Sequence, residues 1–142
     1  MKAYIIITII YHFLYRILIG ELVSMLDSKK DINNDSILLY EFGFEKKLYD
    51  FLKVKQWKNY MVTAKPKQFD IYSKSFADLL KSMLIAEKVH IICFFLSYIP
   101  ILFISKTGMA QAIVSICVIG SLIDLAYVII QRYNIPRVKA LL

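Results

Sequence analysis

Several familiar chemistries are missing from this sequence. There are two cysteines, Cys93 and Cys117, and both lie in apolar stretches without CxxC or metal-ligand spacing. A disulfide framework and a thiolate metal site are therefore excluded, and both read as small core residues. Two histidines, His12 and His90, are too few for a His-rich metal centre, so no metal or cofactor is expected. No Ser or Cys nucleophile motif is present, which argues against a covalent intermediate on the protein. The ten-residue strand alternation of an outer-membrane barrel is absent. No internal repeat is visible either, and three short helices enclose little lumen, so a channel or transporter is disfavoured.

What the sequence has is apolar residue in long blocks. Of its 142 residues 58% are hydrophobic, and the mean hydropathy is +0.57. A soluble domain of this length rarely carries so much. The expectation is an all-α membrane protein, a single membrane domain over residues 1–142 with three transmembrane helices and a cytoplasmic amphipathic-helix region between helices one and two. The first block, residues 3–26, is too long for a signal-peptide core and is followed by no small-residue cleavage site, so it reads as an uncleaved helix. The second spans 85–104, with Pro100 expected to kink it. The third spans 109–130, after a hairpin at Ser105–Gly108. Gly120 and Ser121 suit it to close helix contact.

Between the first two blocks, residues 27–84 hold 11 Lys and 8 acidic residues. Ile32 to Ser36 form a turn signal, and Lys65-Pro66-Lys67 a break. Phe44, Leu48, Phe51, Leu52 and Trp57 give a helical stripe flanked by lysines, suited either to the membrane interface or to packing on the protein. Ser75 and Asp78 mark a helix start that leads into the second block. The net charge of +7 is concentrated in this region and in the tail, 131–142, and suggests anionic lipid headgroups rather than nucleic acid as the partner. The opposite side carries only Lys2 and Lys106. The positive-inside rule therefore predicts a multi-pass membrane protein, N-terminus outside and C-terminus cytoplasmic.

Only three acids fall in the apolar blocks: Glu21, Glu87 and Asp124, one per helix. By helical rise, Glu87 and His90 lie roughly 3 to 8 Å inside the end of helix two, Glu21 and Asp124 roughly 7 to 9 Å inside theirs, and Arg16 about 15 Å deep. Ionisable groups there must face one another or a wet cavity. Arg16, Glu21 and Asp124 read as a structural polar cluster, with Arg16 paired to Asp124 or Glu21. Glu87 and His90, three residues apart, read as a catalytic pair in which the carboxylate orients the imidazole as general base. His12 reads as a packed or helix-bonded residue.

Four stretches in order, Phe42-Gly43-Phe44-Glu45-Lys46, Val54-Lys55-Gln56-Trp57-Lys58, Ala86-Glu87-Lys88-Val89-His90 and Gln131-Arg132-Tyr133-Asn134-Ile135-Pro136-Arg137, resemble the glycosyl-4,4'-diaponeurosporenoate acyltransferase family, small membrane proteins of Gram-positive bacteria. Ile135 departs from the Arg usual in the family's tail motif. The resemblance implies transfer of a fatty acyl chain to the glucose of a carotenoid glycoside, as in staphyloxanthin-type carotenoid biosynthesis. The partners it implies are an acyl thioester donor and a membrane lipid or glycolipid acceptor. On that footing Arg132 and Asn134, with Arg137, are candidates for binding the donor, and Trp57 and Lys58 for the rim of the site. The alternative class is a non-enzymatic small membrane protein, an accessory subunit or immunity-type protein. That class predicts tolerance of His90→Gln.

Overall fold

The first apolar block contains no proline, and it folds as one helix, α1 (Lys2–Asp27), of 26 residues. At the helical rise this is about 39 Å, longer than the ~30 Å hydrocarbon core of a bilayer. Its pattern inverts that of a soluble helix. The buried stripe is Thr8, His12, Tyr15 and Val23, while Ile7, Phe13 and Leu18 are 60%, 68% and 66% exposed. An apolar outside with a polar inside is stable when lipid is the solvent. The computed structural model describes residues 2–30, 32, 39–63, 66–70, 72–106 and 108–142. Asn33 to Ser36 of the expected turn, Lys65 of the expected break and Thr107 of the expected hairpin lie outside the described residues.

The lysine-rich stretch forms two short helices, α2 (Gly43–Phe51) and α3 (Val54–Trp57). They are separated at Lys53, whose φ of 52° is left-handed, so the stripe from Phe44 to Trp57 is not one continuous face. The Glu45 carboxylate accepts the Phe42 N–H at the start of α2, at 2.9 Å. Glu45 and Tyr49 turn inward, while Phe44 and Phe51 are 67% and 82% exposed. The apolar side of α2 thus points away from the protein.

Helix α4 (Phe76–Leu96) starts where Ser75 Oγ accepts the Asp78 N–H, at 3.1 Å. It ends earlier than the apolar block that contains it: after Leu96 the chain tightens into a 3-10 turn over Ile99–Lys106. The cause is Pro100, which has no N–H for the carbonyl of Leu96. That carbonyl accepts the Tyr11 hydroxyl at 2.8 Å instead, so the break is satisfied from α1. Helix α5 (Ala110–Lys139) differs in the other direction. It runs past Ile130 and through Pro136, and most of the expected tail is helical.

Helices α4 and α5 make the most extensive pair, with α1 laid against them, α4 chiefly. All three are long and apolar enough to cross a membrane. Among the described residues there is no strand. Beyond the apolar blocks, Leu39, Leu79, Leu80, Met83, Ile135 and Val138 form a separate hydrophobic core. Ile135 is fully buried there. The fit of Ile135 and Val138 into this core is what carries the helix beyond its apolar block.

Candidate active site

One carboxylate organises the interior of the bundle. Asp124 of α5 is completely buried. Its Oδ2 accepts Arg16 Nη2 of α1 at 2.5 Å, and Ser97 Oγ approaches it at 3.5 Å. Its Oδ1 faces Nδ1 of His90, on α4, at 3.0 Å. All three long helices therefore meet at this one group. The Arg16 guanidinium also donates to the carbonyls of His12 and Gly120, at 2.6 and 3.0 Å. Tyr15 extends the network, its hydroxyl lying 2.8 Å from Ser97 Oγ.

The His90 ring stacks on Tyr127, centroids 4.5 Å apart and planes at 12°, while the Tyr127 hydroxyl donates to the carbonyl of Val62. Its side chain keeps 23% exposure. Beside a carboxylate already paired with a guanidinium, the hydrogen bond assigns the His90 proton to Nδ1. In the tautomer with the proton on Nδ1, Nε2 is the nitrogen a general base presents to a hydroxyl.

The expected pairing of Glu87 with His90 is not what the structure shows. The two residues share a broad helix face, but their side chains turn to different partners and enter different networks. Glu87, 3% exposed, points to Arg132, with Oε1 3.8 Å from Nε. Arg132 in turn grips Glu45 through two 2.9 Å hydrogen bonds, Nε to Oε1 and Nη2 to Oε2, and donates to the carbonyl of Tyr40 at 2.9 Å. Arg132 is thus buried against two carboxylates instead of being open to a ligand. It ties α2 to α4 and α5.

The remaining expected residues fall at the end of the bundle near α3. Lys58 Nζ lies 3.0 Å from Asn134 Oδ1. Trp57 Nε1 donates to the carbonyl of Leu52 at 2.8 Å, closing the α2–α3 corner. Glu21 sits on the exposed side of α1, and the partner of Arg16 is Asp124. Ser97, Tyr127, Tyr15 and Glu45 were not expected as members. Ser97 lies two helical turns from His90 and Tyr127 one turn from Asp124, spacings that place each pair on one face. Among the described residues no group of three or more His, Cys, Asp and Glu gathers as metal ligands.

The crossing of α1 over α5 is tight at Gly120. A Cβ there would lie 2.9 Å from His12 Nδ1 and 3.2 Å from Arg16 Nη2. Gly120→Ala is therefore expected to cost about 1–3 kcal/mol by overpacking, seen as a lower melting midpoint in detergent. Gly20→Ala, where nothing lies within 4 Å, serves as the control. Equal midpoints for the two variants would show that the close crossing does not exist.

Taken together, the fold and this interior define a small all-α protein with three span-capable helices joined by a His–Asp–Arg network. The chain belongs to the glycosyl-4,4'-diaponeurosporenoate acyltransferase family, whose sequence pattern matches residues 33–142. His90, Asp124, Glu45, Glu87 and Arg132 fall within the matched part, while Arg16 and the rest of α1 precede it. No curated protein and no solved structure gives a match.

Proposed function

We propose that this chain is a membrane O-acyltransferase that moves a fatty acyl chain from a thioester donor to a hydroxyl of a glycoside embedded in the bilayer, a carotenoid glucoside being the acceptor suggested by the family. The observation that carries this reading is the hydrogen bond of His90 Nδ1 to Asp124 Oδ1 at 3.0 Å, in a chain of an acyltransferase family. It leaves Nε2 available as base. Asp124 fixes the tautomer and supports the imidazolium that forms, as the carboxylate does in a Ser–His–Asp triad. Arg16 holds Asp124 in place.

In the reaction, Nε2 takes the proton of the acceptor hydroxyl as the oxygen attacks the thioester carbonyl. The new C–O bond gives a tetrahedral intermediate. Its collapse breaks the C–S bond, and the departing thiolate takes the proton back from the imidazolium. The acceptor's apolar part lies in the bilayer beside α4 and α5. The outward Phe44 and Phe51 of α2 suit the membrane interface, where an apolar helix face is stabilised. Glu45, Glu87 and Arg132 serve to hold α2 against the bundle. In this reading the segments 27–84 and 131–142 face the cytoplasm and the whole chain acts as one membrane domain.

Mass spectrometry of lipids from host membranes supplied with carotenoid glycosides tests the proposal. With the wild type, a product heavier by one acyl group is expected. With His90→Gln, inserted at equal abundance, it should be absent. No acyl-dependent difference across the lipidome would overturn the enzyme reading in favour of an accessory protein.

A further inference from the structure

Several cations among the described residues are matched with acids. Arg16 pairs with Asp124, Arg132 with Glu45 and Glu87, and Lys88 with Asp27. Two places depart from this pattern: Lys139 Nζ, buried over the Tyr40 ring without a hydrogen-bond partner among the described residues, and a group around Tyr133. Lys58 Nζ lies 4.9 Å from the centre of the Tyr133 ring, and Arg137 Cζ lies 3.6 Å from the same ring. Burial, with Arg137 and Lys55 as neighbours, holds the Lys58 ammonium below the usual lysine range. Among the described residues, no carboxylate forms an ion pair with Lys55, Lys58 or Arg137.

The cluster is also preorganised. Asn134 Oδ1 takes one proton of the Lys58 ammonium, which leaves two N–H donors. Arg137 spends one N–H on the carbonyl of Tyr133 and keeps four. The Tyr133 ring is itself braced edge-on by Tyr49, centroids 5.4 Å apart. Lys58 is half-buried beside the exposed Arg137 and Lys55, and an anion can accept several charge-assisted hydrogen bonds from such a group. By helical rise, Asn134 and Arg137 lie about 6 and 10 Å beyond Ile130, where the apolar block ends, which is headgroup level.

We propose that Lys58 and Arg137, gathered around Tyr133 with Lys55 as a neighbour of Lys58, bind a phosphate group at the membrane surface, carried either by the acyl donor or by an anionic lipid headgroup. The donor alternative rests on the acyltransferase reading above; binding as such does not. Along α5, Asn134 is about 15 Å from Asp124. That is a separation an extended, phosphate-tethered thioester can span. The carbonyl of Val62, held by Tyr127, joins the chain segment after Lys58 to the His90 end.

The test uses the full chain in phosphatidylcholine nanodiscs, in a His90→Gln background so that turnover cannot interfere. Coenzyme A is the soluble probe. Phosphatidylglycerol, added to the nanodiscs and scored by its retention in native mass spectrometry, is the lipid probe. Lys58→Gln with Arg137→Gln is expected to weaken one of these probes by ~10-fold or more. Lys58→Arg with Arg137→Lys should retain binding, and so should Lys46→Gln with Lys47→Gln, which removes the same charge from the exposed side of α2. Loss of coenzyme A binding assigns the site to the donor, and loss of phosphatidylglycerol retention assigns it to lipid. Equal binding of both probes by all variants overturns the site. Wild-type protein that binds a probe but makes no acylated product when carotenoid glycosides are supplied would instead overturn the acyltransferase reading and leave the phosphate site standing.

Discussion

Replacing Asp124 by Asn, together with Arg16→Gln, is expected to leave the protein inserted and abundant but to lower acyl transfer by about 10²- to 10⁴-fold, the usual contribution of general acid–base catalysis. The double change is needed because Asp124→Asn alone strands the Arg16 guanidinium, and an unpaired buried charge costs about 3–5 kcal/mol. Stability loss would then mimic catalytic loss. With both charges removed the bundle is neutral again, so abundance and melting midpoint recover while activity does not. The asparagine amide can donate to Nδ1, which moves the imidazole proton to Nε2 and removes the base. Because Asp124 acts through His90 and touches no substrate, the informative readout is the split between kcat and KM: kcat should fall while the KM for the acceptor stays near the wild-type value. Recovery of activity along with abundance would show that Asp124 only pairs Arg16 and that His90 needs no orienting group.

The placement of the long helices was legible because apolar runs of that length have few alternatives. The requirement that ionisable groups inside them find partners singled out Arg16 and Asp124, which lie 2.5 Å apart. The partner of His90 was not legible. Glu87 was attractive by spacing along one helix, but hydropathy does not encode the register between α4 and α5, and that register brings Asp124 to His90. Glu45 was hidden for a related reason. It sits in a lysine-rich stretch that reads as a solvated face, and only the folding of α2 onto the bundle buries it against Arg132. The early end of α4 could be read in part from Pro100. That Tyr11 would take up the freed carbonyl required knowing where α1 lies. The extension of α5 was masked by polar residues after Ile130, although Ile135 and Val138 at three-residue spacing are the trace of the core that holds it.

The second large effect is expected at Arg132, and its sign separates a structural role from a ligand-binding one. Arg132→Met leaves the carboxylates of Glu45 and Glu87, 7% and 3% exposed, without their guanidinium. Breaking a buried ion pair from one side typically costs about 3–5 kcal/mol, so the variant should be scarce in membranes and melt far below the wild type in detergent. Glu87→Gln should behave in the opposite sense. Two carboxylates share one guanidinium, and Glu87 Oε2 is buried without a hydrogen-bond partner, so removing that charge relieves repulsion towards Glu45. Its melting midpoint should equal or exceed that of the wild type, and acyl transfer should persist because His90 depends on Asp124. Combining Arg132→Met with Glu45→Gln and Glu87→Gln should recover much of the lost stability, since no buried charge is then left alone. A Glu87→Gln variant that folds normally but makes no product would return Glu87 to the chemistry. An Arg132→Met variant as stable as the wild type would show that α2 is not held to the bundle by this ion pair.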